Sequence, residues 1–501
     1  MDVTQADARH HDDEQPLPRR GRRWRWIGYV FLLLTVGLSV AYFTWSRKSE
    51  ARLTEFMDEL RRAGEPVEPG DLVHRPIPAE DDAAPDLRAA AALLDTKSEA
   101  FDAFNKIELD QPLGAADRDV ITKLVEGERD VLEKMRVARG KRDADWRIPY
   151  QSPSIMTLLP HLNDLRSLAN LGRAAAIRER LRGNDDAALE HLRDVLAVGN
   201  AADTQPIMVG HLVALGVRSV AVYELDRMAP ALEIGDDRAG DAAPTGSATR
   251  QHVHDAIREL LDESRSDVGF AAAFRGERTL QLDTAILVAD RKLDIRALSG
   301  ATPSGGFAPP VPRGLVLTDA RLMAEYVTDI LKVVQTSSDL PTFRNNQPPL
   351  PAPVRGNPKF HFFAAMMMPA YDRFITQHYK GKADTRMAAT LLALRLYAAD
   401  HGGGYPEKLD ELVPKYLPSV PADPLAAGGA PLKYSTADAS APSVYSVGED
   451  GVDDGGSTAP VRRSAATPDR WNMRDAVVPM KPAALVKSKE EEAKQKAAEG
   501  E

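Results

Sequence analysis

Between Trp26 and Trp45 the chain runs 20 residues without a charge, about the length an α-helix needs to cross a hydrocarbon core. No other stretch limits the architecture as strongly, because a segment this apolar is either buried in lipid or buried in protein. Trp24, Trp26, Tyr42 and Trp45 stand at its two ends, where amphipathic rings favour a membrane–water boundary. Arg19, Arg20, Arg22, Arg23 and Arg25 precede it, and Arg47, Lys48 and Arg52 follow. That excess of basic residues on the first side predicts a cytoplasmic N-terminus and an exported C-terminal bulk. Ser39-Val40-Ala41 offers a small-x-small cleavage site, but the span is too long and too aromatic for a cleaved signal. The expectation is a single-pass, uncleaved anchor in a cell inner membrane, with the lipid bilayer as one partner and no second segment able to span.

With 501 residues, 43% of them hydrophobic, the remainder has ample material for folded domains. A net charge of -10 argues against nucleic acid as a partner, which calls for a basic face. The chain has no cysteine, so disulfides, thiolate metal sites and cysteine nucleophiles are excluded.

Seven segments follow from composition and periodicity. Residues 1–25 read as a basic, disordered cytoplasmic tail, with "HHDDE" (His10 to Glu14) a solvated stretch, and 26–45 as the transmembrane helix. Residues 46–85 read as a stalk helix, carrying Leu53, Phe56, Met57 and Leu60 at helical spacing, and then an extended linker. Residues 86–338 read as an α-helical domain. Within it "RGNDD" separates two helices whose faces carry Leu162, Leu165 and Ala169, then Leu189, Leu192 and Leu196, an αα-hairpin. A third helix is expected from near Thr204, with Pro206 in its first turn. Gly- and Pro-rich insertions are expected at 235–249 and 299–314, and a Pro-rich linker at 339–358. Residues 359–480 read as a second, α+β module, and 481–501 as a disordered charged tail. The fold class is therefore mainly α with a small α+β C-terminal module.

That module opens with a helix on which Met387, Leu391, Leu394 and Ala398 share one face, stopping at Gly402. The "MMM" run before it (Met366 to Met368) reads as helix-end packing. "APLKYS", "SVYSVG" and "MRDAVVPM" are strand candidates. The order "ALRLYAADHGGGYPEKLDELVPKYLPSVPADP…PLKYS…VYSVGEDGVDDGG" resembles the C-terminal half of the type II secretion major pseudopilin. Tyr405-Pro406, Leu409, Leu412, Asp423-Pro424, Pro431, Tyr434, Tyr445, Ser446, Gly448, Asp450 and Gly451 fall in that family's sequence order, over under a fifth of the chain. Leu425 stands where the family has tryptophan, and no prepilin cleavage signal precedes the helix. The resemblance thus implies a shared pseudopilin-like domain, not a filament subunit.

It also implies a structural Ca2+ site in the loop, with Asp450, Asp453 and Asp454 as side-chain ligands. Calcium takes six to eight hard oxygens, and closely spaced carboxylates with glycine turns can deliver several. The loop does not follow the EF-hand pattern, because Val452 occupies a position that needs Asp or Asn. Read without the resemblance, it is equally an Asp/Gly-rich turn chosen for backbone freedom.

The sequence holds no G-x-S-x-G, Walker or H-E-x-x-H motif. His252 and His254 are two apart on an expected helix and face different ways. Asp81-Asp82 and Asp185-Asp186 fall at loop or cap positions, and Arg275, Glu277 and Arg278 point to buried ion pairing. These readings assign no catalytic residue. They predict a membrane-anchored, extracytoplasmic interaction or scaffold protein of the bacterial envelope, with envelope proteins as partners. The resemblance adds a link to type II secretion or pilus-like machinery. The rivals are an exported binding module for a small ligand or cell-wall polymer, and an envelope hydrolase with its site between the helical domain and its loops.

Overall fold

The first helix, α1, runs without a break from Arg20 to Arg62. The computed structural model describes residues 20–72, 76–235, 246–294, 311–461, 469–488 and 491, and leaves the side chains of 20–23, 362–363 and 366–369 outside the description. The tail stretch His10 to Glu14, the run Met366 to Met368 and most of the two insertions at 235–249 and 299–314 therefore lie outside the described residues. Of the whole, 63% is helical, with one small antiparallel sheet.

After α1 come α2 (Ala84–Leu93), α3 (Glu99–Phe104), α4 (Ala115–Gly127) and α5 (Arg129–Arg139). The centre of the body is α6 (His161–Leu181), α7 (Asp185–Ala202) and α8 (Met208–Met228). It continues with α9 (Arg250–Leu261), α10 (Ser264–Ala289), α11 (Arg313–Thr336), α12 (Leu340–Asn346) and α13 (Ala352–Gly356). The long α14 (Phe362–Asp400) leads to strands β1 (Lys433–Ser435), β2 (Ser443–Ser446) and β3 (Ala476–Pro479).

The expected αα-hairpin forms. Gly183 takes the positive φ of 73° that ends α6, which only glycine adopts cheaply. The Asn184 side chain then accepts the Ala187 N–H at 3.3 Å and caps α7. The third helix starts later than its apolar pattern predicted, at Met208. Thr204 instead donates to the carbonyls of Ala144 (2.8 Å) and Ala201 (3.1 Å), which holds the 203–207 segment as a turn. This helix corrects a second expectation. Met208–Ala231 is long and apolar enough to span a membrane, but in the fold it is a core helix, packed on α6, α7, α10 and α14 and carrying Arg218, Glu224 and Asp226 into the interior.

The stretch expected to be a stalk and linker is part of the body. Ser46, Ser49, Leu53 and Leu60 of α1 are buried, mostly against α11. Gly314 lies so close to Trp45 that a side chain there would collide with the indole. Arg313 bridges Glu50 at 2.8 Å, and its backbone N–H donates to the Tyr42 hydroxyl at 3.2 Å. By contrast the apolar half of α1, from Trp24 to Phe43, is exposed along its length.

Residues 339–358 likewise pack. Asp339 caps α12 by accepting the Thr342 N–H at 2.7 Å, and Leu340, Phe343 and Val354 are buried. Helix α14 is not one-sided. Met387, Leu391, Leu394 and Ala398 are buried as expected, but so are Ala388, Ala389, Leu392, Ala393 and Leu396. It is covered by α8, α9 and α11 on one side and by β2 on another, so a single apolar core joins body and C-terminal segment. The three expected strands form a sheet of order β1-β2-β3, with Tyr434 opposite Val444 and Tyr445 opposite Val477. Beyond it, the Leu113 N–H donates to Leu485 O (2.9 Å) and the Lys487 N–H to Leu113 O (3.0 Å), which fastens part of the C-terminal tail to the body.

Candidate functional site

The Asp/Gly-rich loop leaves β2 and is held from beneath by two buried carboxylates. Asp423 accepts the N–H groups of Leu425 and Val447, both at 2.9 Å, and the Ser446 hydroxyl at 2.8 Å. Asp475 accepts the N–H groups of Gly456 and Ser457 at 2.8 Å and of Asp454 at 3.3 Å. Burial pushes the Asp423 carboxyl up, and these donors oppose the rise.

The three predicted calcium ligands are engaged separately. Asp450 accepts the Val452 N–H at 3.1 Å, a local turn. Asp453 pairs with Lys433 at 3.1 Å and accepts the Tyr445 hydroxyl at 3.1 Å. Asp454 pairs with Arg474 at 2.9 Å. Among the described residues, no group of three or more His, Asp or Glu side chains is placed to hold a metal ion. As arranged, two of the three carboxylates face the protein's own cations, so the donor set does not fit a calcium shell. The acid that ties this loop to the helices is Glu449, which meets Lys380 of α14 at 2.9 Å and Arg344 of α12 at 3.3 Å.

Other sequence candidates have structural partners. His252 faces Asp186 at 2.8 Å, while His254 lines a separate hollow beside Tyr416. Asp82 accepts the Ala84 N–H at 3.0 Å, and Asp185 the Glu233 N–H at 2.8 Å. Arg278, which is buried, and the half-buried Arg275 both pair with the half-buried Glu65 beyond the end of α1, at 2.7 and 3.2 Å. Glu277 accepts from Gln281 at 2.9 Å.

A large cleft lies elsewhere, between α3, α6, α8 and α14, with a cavity volume of about 1120 Å³. One wall carries Arg173 and Tyr223, and the other Lys380, Asp384, Arg470 and Trp471. Residues 470–472 form a short 3-10 turn capped by Asp469, and this turn places the indole. The Trp471 ring N–H donates to Asp384 at 3.2 Å, and the Lys380 ammonium lies 5.5 Å from the ring centroid. Arg173 stacks over Tyr223 at 5.1 Å while pairing with Glu224 at 2.7 Å. Arg470 reaches behind Trp471 to Asp226 at 2.5 Å and approaches Asp384 at 3.6 Å.

Burial drives the Asp384 carboxyl up to about 7, with the Asp226 charge adding to the rise and Arg470 opposing it. An aromatic-walled cleft with a carboxyl poised near neutrality is the default form of a binding or catalytic site. Sequence reasoning missed it because its parts are far apart in the chain. The available signal was Trp471, a large aromatic in an otherwise polar stretch. Comparison with protein-family models, curated proteins and solved structures finds no match for this chain.

Proposed function

We propose that the chain is a single-pass membrane protein whose exported body acts as a rigid interaction platform at the bacterial envelope. The observation that carries this reading is the continuity of α1. At 1.5 Å per residue its 43 residues make a rod of roughly 65 Å. The exposed apolar half matches the roughly 30 Å of a bilayer core, and the other half is core material of the body. No hinge separates anchor from body, so the body would stand at one height and in one orientation over the membrane. That suits a scaffold for envelope partners, secretion or pilus-like machinery among them. The distribution of arginines before Trp26 supports a cytoplasmic N-terminus in an inner membrane. A periplasm-dependent reporter enzyme fused to the C-terminus should be active, and cross-linking in intact cells should capture discrete envelope partners. Activity of a cytosol-dependent reporter alone at that end overturns the reading.

A second reading, an exported binding module, is favoured by the cleft holding Tyr223, Trp471 and Asp384. Soaking small sugars, peptides and organic acids against the full chain while following Trp471 fluorescence would test it. A Trp471→Phe variant with the same response as the unaltered chain would place the ligand elsewhere.

A further inference from the structure

The contacts of α11 fix which corner of the body lies nearest the apolar half of α1. A Cβ on Gly314 would lie 3.0 Å from Ser46 Cα. One turn further on, the Thr318 hydroxyl lies 3.1 Å from that of Ser49. Helices α1 and α11 therefore rise side by side in the same direction, and α11 begins level with Ser46, where the uncharged span from Trp26 to Trp45 ends. Val311, two residues before α11, stands at that end and is 38% exposed. Helix α10 comes down to the same corner, because Asp290 at its C-terminal end meets Arg313 at 3.3 Å.

This corner is basic in a chain whose net charge is -10. Arg47 and Lys48 follow Trp45 by two and three residues, about 3 and 4.5 Å along the helix axis. Arg291 and Lys292 follow Asp290, and all four side chains are exposed. Arg313 sits between Glu50 and Asp290, and Lys292 lies 3.6 Å from Asp290. Arg47, Lys48 and Arg291 make no ion pair among the described residues. With Asp294 included, five basic side chains stand against three acids. A bilayer of about 40–45 Å around a core of about 30 Å leaves roughly 5–7 Å of headgroup on each side. The four exposed cations fall within that depth, beside the interfacial rings of Tyr42 and Trp45.

We propose that Arg47, Lys48, Arg291 and Lys292, with Val311 beside them, form a docking surface for the headgroups of anionic phospholipids in the leaflet facing the body. This rests on the reading of α1 as the membrane anchor. A single rod through a bilayer leaves its body free to turn about the rod. A second contact, on α10 and the start of α11, stops that rotation and presents one fixed face of the body away from the membrane. Long flexible stems let lysine and arginine reach phosphates while Val311 enters the apolar edge.

The test uses the full chain. Because it has no cysteine, Val311→Cys and Lys415→Cys each give a single spin-label site, the second beside Asp400 at the far end of α14. In nanodiscs of mixed phosphatidylcholine and phosphatidylglycerol, a water-soluble relaxation agent should reach the label at 415 and be shielded from the one at 311. Equal access overturns the proposal. Lipid retained from equimolar mixed micelles, counted by native mass spectrometry, should favour phosphatidylglycerol. The chain carrying Arg47→Gln, Lys48→Gln, Arg291→Gln and Lys292→Gln should lose at least about fivefold of that preference, the value of one basic side chain near an anionic surface. An unchanged ratio overturns the proposal, as does displacement of the lipid by glycerol phosphate alone, which would mark a site for soluble anions. A chain that fails to enter nanodiscs of pure phosphatidylcholine overturns the anchor reading and the docking surface together, whereas entry without a lipid preference overturns the docking surface alone.

Discussion

Replacing Glu65 by alanine tests whether α1 and the body are one piece. Glu65 lies just past Gly64, whose φ of 74° ends α1, and its N–H closes on the Leu60 carbonyl at 3.0 Å. Its carboxylate meets Arg278, whose side chain is only 1% exposed, while Glu65 itself is 25% exposed. Burial raises the Glu65 carboxyl, but Arg278 and Arg275 outweigh that and hold it below its ordinary range. Burial also pulls the Arg278 guanidinium down, so the pair gains little over an apolar contact, yet breaking it is costly. Removing the acid leaves the guanidinium with the Thr328 hydroxyl at 2.9 Å and Arg275 close by. Uncompensated buried charges of this kind cost about 3–5 kcal/mol. Partial water access at Glu65 places the expectation near the lower figure, about 3 kcal/mol. Denaturant unfolding of the full chain in micelles measures it. The double variant Glu65→Leu with Arg278→Met should regain most of the loss, because both charges leave together. A Glu65→Ala cost under about 0.5 kcal/mol, the level of an exposed pair, would refute the reasoning. The pH sign also follows. The stability contributed by ionised Glu65 is present above the ordinary carboxylate range and lost as pH falls through its lowered native value, so a Glu65→Gln chain should show a flatter acid limb.

Gly276 of α10 faces the turn before α8, where a methyl group would overlap the Pro206 carbonyl oxygen. Gly276→Ala should cost about 1–3 kcal/mol or more in a thermal melt, and an unchanged melt would show that the two segments do not touch. Asp384 has a raised native pKa of about 7, so it withdraws stability as pH climbs from the ordinary aspartate range through 7. Asp384→Asn should flatten unfolding curves over that interval, and an unaltered pH profile would contradict its burial. Asp475→Ala removes the acceptor of three loop N–H groups and should destabilise by about 2 kcal/mol or more, with faster hydrogen exchange confined to residues 454–457. Because Lys433 and Arg474 hold Asp453 and Asp454, millimolar calcium and a chelator should give the same melting temperature. A rise with calcium would mean that the loop rearranges around the ion.

Short-range chemistry was legible in the sequence. The hairpin turn at Gly183-Asn184, the end of α14 near Gly402 and the three strands follow from residues within a few positions of one another. The burial of α14 on several sides was not legible, because Ala388, Ala389 and Ala393 suit a core and a surface equally. The stalk was misjudged for a related reason. Leu53 and Leu60 showed that α1 has an apolar face, but not that α11, more than two hundred residues onward, would cover it. The aspartates of the loop drew attention through proximity in sequence, whereas their actual partners, Lys433 and Arg474, come from neighbouring segments of the fold. Asp384, Arg470 and Trp471 meet Tyr223 only in three dimensions.

The enclosure of α14 has a consequence for how this polypeptide is made. The apolar flanks of α8, α9 and α11 are finished by a helix that leaves the ribosome after all of them. Until it arrives, the nascent body presents a greasy trough with nothing to fill it, and such surfaces are prone to aggregation. A chain stalled or truncated before Phe362 should therefore depend on a holding chaperone and be cleared by proteases, even though it already contains most of the helices.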